Sequence, residues 1–279
     1  MSRRQYYSAR MHGSAVDLEL LRQLFLSLFG KLTQDGHFQE SMGYSCVDAG
    51  WVPGRMGPDI GEFFFRVLRK RNIYPFDQQY TSWTEEDLFD VIEVMYDCVS
   101  RPVSGWYHDY GDCGQHWTEF DTDAGRADYR DEVNHLLGDY QAGYELSADG
   151  DILHRGDANL RSLLDSPLPT FDPPNVEQRV HAAVTKFLRY RSSAEDRRDA
   201  VKSLAEVLEF LRPQVKAAML RADEGELFKI ANCFGIRHHN RQQQTDYDPE
   251  IWLPWMFYVY LATIHAVLQV IKRDEQSRD

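Results

Sequence analysis

Apolar residues recur three and four positions apart from Val16 to Thr33, with Leu18, Leu21, Leu24, Phe25, Leu28 and Phe29 on one stripe. That spacing predicts an amphipathic helix with one buried face. A second such pattern runs from Asp59 to Arg71 and closes on the basic run Arg69-Lys70-Arg71, which suits the negative end of a helix. Thr84 is placed to cap a third helix, Glu85 to Ser100, whose first turn is acidic. A fourth is predicted from Arg126 to Tyr140. Between the last two, residues 101–124 are rich in Gly, Asp and aromatics and carry no clean period. They are read as an irregular loop.

Tyr144 to Leu153 breaks the helical pattern. Asp149-Gly150 between short alternating segments predicts a small β-hairpin near 144–153. Residues 166–174 hold four prolines in nine positions, the composition of a stiff linker. Beyond it every segment reads as helix: Asn175 to Tyr190 with Asn175 as cap, Ala194 to Leu211, Pro213 to Leu220, Glu224 to Cys233, and Pro249 to Lys272 behind an Asp248 cap. The expected fold is mainly α. A helical N-terminal domain with a small hairpin (1–165) is followed by the linker (166–174) and a helical bundle (175–279).

Composition agrees with a folded chain: 43% of the 279 residues are hydrophobic and 13% aromatic, enough for a real core. Charge separates the halves. Residues 175–279 carry 16 basic and 15 acidic side chains, which leaves 15 basic and 29 acidic in residues 1–174 of a chain with net charge −13. The N-terminal part is therefore unsuited to gripping nucleic acid by bulk charge, and only a local C-terminal patch could do so. Another reading is that the acidic half shields the C-terminal part or mimics nucleic acid. Four scattered cysteines and a polar, aromatic start (Met1 to Tyr7) argue for reduced thiols in a cytoplasm and against a secretory leader. From Ile251 to Ile271 there is no Asp, Glu, Lys or Arg, a length that can span a bilayer. Pro254, Tyr258, Tyr260, His265 and Gln269, with no basic flank before them, favour a bundle core or a subunit interface instead.

Two groups of residues carry candidate chemistry. The first is Arg237-His238-His239-Asn240-Arg241, beside the apolar helix. Metal-independent RNA cleavage needs a base for the ribose 2′-hydroxyl, an acid for the leaving oxygen and a cation for the charged phosphorane. Two imidazoles and an Arg supply all three, but the same imidazoles also serve as packing and capping groups at a helix end. Arg189, Arg191, Arg197 and Arg198 flank the preceding turn. They read as a solvated face paired with Glu195, Asp196 and Asp199, or as a track for an RNA backbone.

The second group is His108, Cys113 and His116, with Cys46 or Cys98 as a fourth member. Thiolate and imidazole are the ligands of tetrahedral zinc, and Asp109 or Asp112 is placed to orient a ligating His. A structural zinc would staple a loop too irregular to fold by local propensity. Its alternative is a loop pinned by Trp106, Tyr107, Tyr110 and Trp117. A magnesium site on Asp48, Asp109, Asp112, Asp121 and Asp123 is weighed against a solvated acidic surface. There is no P-loop, dinucleotide glycine fingerprint or GxSxG elbow.

Glu226 to Asn240, with Tyr247-Asp248 and the Trp252–Tyr258 stretch, resembles the C-terminal region of bacterial abortive-infection proteins of the AbiJ type. Tyr107-His108, Cys113-Gly114, His116 and Gly143 to Leu146 are similar to an N-terminal domain found on such proteins. The resemblance implies a C-terminal HEPN-like bundle, commonly dimeric, whose active members cleave RNA in phage defence or toxin systems without a metal cofactor. It carries Arg237 over to the transition-state phosphate and leaves acid–base work to His238 or His239; on this reading Asn240 orients the phosphate or an imidazole, and Arg241, Arg189 and Arg191 are the residues expected to track the RNA. The chain departs from the family pattern at one point: the His expected four to six positions after the Arg is replaced by Arg241-Gln242-Gln243. The implied partners are a second copy, RNA and other defence proteins, with no membrane. A non-catalytic scaffold subunit is the alternative.

Overall fold

The computed structural model describes residues 16–141, 143–156, 160–218 and 248–276. The chain is mainly α and forms two compact units, Met1–His154 and Arg155–Asp279. The proline-rich segment 166–174 thus lies within the second unit.

In the first unit, α1 (Leu18–Gln34) starts on Asp17, whose carboxylate accepts from the Leu20 N–H at 2.8 Å. Leu21, Phe25, Leu28 and Leu32 form its buried stripe. A short helix α2 (Gln39–Met42) leads directly into β1 (Gly43–Cys46), which pairs antiparallel with β2 (Gly50–Pro53). Helix α3 (Ile60–Leu68) ends earlier than its sequence pattern, because Arg69 turns left-handed and leaves the basic run outside the helix. Lys70 is instead held by Asp87 (2.8 Å) and Asp90 (2.7 Å). A one-turn helix α4 (Phe76–Gln79) precedes α5 (Glu85–Cys98), which opens on the complete Thr84/Asp87 capping box. Eight of its fourteen residues are buried, so α5 is the unit's central helix. Around it, Phe64, Phe76 and Trp83 pack edge to face at centroid distances of 5.2–5.4 Å. Each such side chain contributes about 2–3 kcal/mol of apolar burial.

The segment read as an irregular loop is the largest correction. Residues 101–121 form an antiparallel hairpin, β3 (Arg101–His108) and β4 (Gly114–Asp121), with an irregular register between Pro102 and Gly105. Its period is invisible because most of β3 is exposed on both faces, so burial never alternates. Helix α6 (Thr122–Leu137) follows, capped by Asp121. The 144–153 hairpin is present as β5 (Tyr144–Leu146) and β6 (Ile152–His154). Gly150 is at φ +90°, and a Cβ there would meet the Tyr96 ring at 2.5 Å. Among the described residues the unit therefore carries three two-stranded sheets where one small hairpin is expected.

The second unit contains α7 (Arg161–Leu164), α8 (Glu177–Leu188), α9 (Ala194–Phe210), α10 (Arg212–Ala218) and α11 (Pro249–Gln276). Asn175 does not cap α8: its amide binds the Asp172 carboxylate at 3.0 and 3.1 Å, and the helix begins after Val176. Ser193 and Asp196 form a capping box for α9. Helix α9 packs on both α8 and α11, and Phe187 stacks on Phe257 at 4.0 Å. Among the described residues, α11 is the one helix long and apolar enough to cross a membrane. Its Leu253, Met256, Phe257, Tyr260, Ile264 and Leu268 are buried within the unit, while Ile251, Trp252 and Trp255 are exposed. The Glu224–Cys233 helix expected from sequence lies outside the described residues.

Candidate metal centre

Three separate stretches of the first unit converge at the tips of two hairpins. Cys46 ends β1, His108 ends β3, and Cys113 and His116 flank the entry into β4. Their four ligand atoms all lie within 4.8 Å of one another. Cys46 Sγ is 3.6 Å from His108 Nδ1, and Cys113 Sγ is 3.2 Å from His116 Nε2. A tetrahedral metal with thiolate and imidazole bonds of ordinary length spans S···N edges of about 3.6 Å. The cluster therefore has the size of a coordination sphere, and its two sulfur and two nitrogen donors could hold a metal.

Local structure explains how the donors meet. The β1–β2 turn, Val47 to Ala49, folds the chain over Cys46 and closes on Gly50 in the left-handed region at φ +69°. The β3–β4 turn is a single 3-10 turn, Tyr110–Asp112, with Gly111 at φ +63°. Val47 rests against Gly111, its Cγ1 3.1 Å from where a Cβ would stand. Helix α2 fixes both hairpins. Gln39 donates to the Gln115 carbonyl (3.2 Å) and accepts from the Trp117 N–H (2.6 Å), while the chain leaving β2 returns through Arg55 N–H to the Glu40 carbonyl (3.0 Å).

Electrostatics favour charged ligands. Backbone N–H groups of Ala49 and Asp48 turn toward the Cys46 sulfur and, with His108 and Cys113, hold its thiol below the usual range despite some desolvation. Thiolate is the form that binds metal. Asp48 Oδ2 lies 3.2 Å from His108 Nε2, which leaves Nδ1 for the cluster. His116 is 1% exposed, and its Nδ1 has no hydrogen-bond partner. Its Nε2 faces a sulfur inside an aromatic wall of Tyr44 (4.4 Å) and Trp106 (4.7 Å). A buried imidazole whose one hydrogen-bond partner is a sulfur is a poor hydrogen-bonding arrangement and a good metal-binding one.

Of the two cysteines weighed for the fourth place, Cys46 is in the cluster and Cys98 takes no part: Cys98 is buried in α5, and burial pushes its thiol up to about 11. The carboxylate that orients His108 is Asp48, not Asp109 or Asp112; its signal was its place two residues after Cys46. Asp121 is used as a helix cap. Among the described residues, the five acids proposed for magnesium form no metal-sized group, and the Cys/His cluster is the sole grouping of that kind.

Arg237, His238, His239, Asn240 and Arg241 lie outside the described residues. Arg189 follows α8 as its C-cap, and Arg191 sits over the Tyr190 ring at 5.4 Å. Of the acids expected to pair with these cations, Asp196 caps α9 and Asp199 pairs with Lys186 at 3.4 Å.

Gly105 is the tightest point of the β3–β4 hairpin. A Cβ there would stand 2.2 Å from the His116 carbonyl oxygen and 2.8 Å from Trp117 Cα, backbone atoms that cannot move alone. Gly105→Ala is expected to destabilise the unit by about 1–3 kcal/mol and to displace His116. A thermal melt recorded with and without added zinc checks both effects.

Comparison of the chain with family models, with curated proteins and with solved structures finds no match.

Proposed function

We propose that Cys46, His108, Cys113 and His116 bind one structural zinc ion that staples two hairpins of an N-terminal regulatory or sensor unit. The observation that carries this reading is the convergence of four soft and borderline donors, from two hairpins distant in sequence, within 4.8 Å. Four protein ligands fill a tetrahedral site and leave no position for water or substrate, which is the pattern of structural rather than catalytic zinc. When bound, the ion would supply cross-linking energy that a loop with few buried apolar side chains lacks. Metal analysis of the purified protein, with Cys113→Ser as control, tests it.

Asp48 then acts as the partner that fixes the tautomer and orientation of His108. Asp48→Ala is expected to weaken zinc binding by about 10–100-fold without loss of fold. Competition against a chromophoric chelator reads this directly; an unchanged affinity would remove Asp48 from the site.

We further infer that the second unit is a HEPN-like bundle and that the chain is a cytoplasmic anti-phage effector acting as a homodimer on RNA. Support comes from the sequence resemblance around Arg237 to Asn240 and from the packing of α9 on both α8 and the long α11. In this reading Arg237 stabilises the phosphorane, and His238 or His239 moves the protons with no metal. RNA cleavage by wild-type protein, lost in Arg237→Ala, is the test. A folded wild-type protein without cleavage activity would favour the scaffold alternative.

A further inference from the structure

Six of the thirteen exposed large hydrophobic side chains among the described residues fall on the two hairpins that form the metal cluster. Scattered apolar residues on a surface need no explanation, but a concentration of this kind marks an interaction surface. At the tip, Tyr110 is 72% exposed, Trp106 50% and Val47 50%. Val47 rests on Gly111 beside Tyr110, and Trp106 covers His108 and His116 at 5.1 and 4.7 Å while half of its surface stays open.

The tip segments, residues 46–50 and 105–117, carry Asp48, Asp109 and Asp112 and no Lys or Arg, while Arg101 stands opposite Asp121 at the far end of the hairpin. Asp109 and Asp112 bracket Tyr110, and Asp109 makes no capping hydrogen bond to the 3-10 turn. An aromatic face bordered by carboxylates attracts cations twice, through the ring quadrupole and through the field of the acids. It repels a phosphate backbone for the same reason.

We propose that this tip docks a cationic peptide segment of a partner protein, with an arginine guanidinium stacked on Tyr110 or Trp106 and held between Asp109 and Asp112. Arginine fits better than lysine because its planar group both stacks and pairs bidentately with carboxylates. The proposal rests on the zinc reading only in that the ion would hold the tip in shape.

The test uses the full-length, zinc-equilibrated protein and fluorescence anisotropy with three labelled probes: an Arg/Ser nonapeptide, a matched Glu/Ser nonapeptide and a single-stranded RNA oligonucleotide. Metal content is measured on every sample. The Arg/Ser peptide is expected to bind, and Tyr110→Ala and the pair Asp109→Asn/Asp112→Asn each to weaken it about two- to fivefold, the worth of an exposed cation–π or charge contact. The remote pair Glu19→Gln/Asp131→Asn, with the same charge change, is expected to leave it unchanged. An equal loss in the remote pair, no binding, or a preference for RNA overturns the proposal. Peptide binding by a protein that holds no zinc would sink the zinc reading and leave the docking site standing; zinc without peptide binding does the reverse.

Discussion

Full-length protein purified without chelators is expected to carry one zinc ion per chain, and Cys113→Ser or Cys46→Ser to carry almost none. Replacing one thiolate of a two-sulfur, two-nitrogen set removes the softest ligand and leaves a buried imidazole facing an alcohol. The stability cost follows from linkage. At free zinc a thousandfold above the dissociation constant, binding stabilises the folded unit by about 4 kcal/mol. For a unit of this size that corresponds to about 8–16 °C in the melting midpoint. Removal of metal by a strong chelator should lower the midpoint of wild type by that amount and leave Cys113→Ser unmoved. Loading should also fall as pH is lowered, because metal binding of this kind releases protons. The Cys46 thiol, held low by backbone N–H groups, resists this longer than an ordinary thiol would. Atomic emission and a paired melt with and without chelator measure all three effects. A wild-type protein that is metal-free and melts identically with chelator would refute the assignment.

How far the sequence reveals this site depends on the kind of information each residue carries. Helices α1, α5 and α9 are legible because their stripes are buried on one side and their caps are local: Asp17, Thr84 and Ser193 each bond an N–H within three residues. The ligand types and the close pair Cys113/His116 are legible for the same reason, since their spacing is local. The choice of Cys46 over Cys98 is not local. It depends on β1–β2 being carried next to β3–β4 by α2, through the Gln39 amide and the return of Arg55 to Glu40. The β3–β4 hairpin was hidden because its strands are held by turn geometry and cross-strand hydrogen bonds rather than by an apolar face. Exposed Val103, Trp106 and Tyr107 give no alternation to detect. The same exposure that hid the strands is what makes their tip a docking surface.

Arg237→Ala is expected to reduce RNA cleavage by about 100–1,000-fold, the usual cost of removing one preorganised partner of transition-state charge. A phosphorane gains negative charge that the ground-state phosphodiester lacks, so the loss should appear in the rate of the bound complex rather than in RNA affinity. His239→Ala and His238→Ala should separate. The one that moves the proton loses about 100–10,000-fold and flattens one limb of the pH–rate profile; the one that packs loses stability instead. Because no His follows Arg237 at four to six positions, the proposed ribonuclease reading would take its imidazole from His238 or His239, which makes this pair the decisive comparison. Cleavage of a labelled RNA under single-turnover conditions, with circular dichroism on each variant, makes the distinction. Chelator should leave the chemical step intact at temperatures where the N-terminal unit remains folded, because no ligand of the proposed zinc belongs to the C-terminal unit. Full activity in Arg237→Ala, or cleavage abolished by chelator under those conditions, would overturn the metal-independent mechanism.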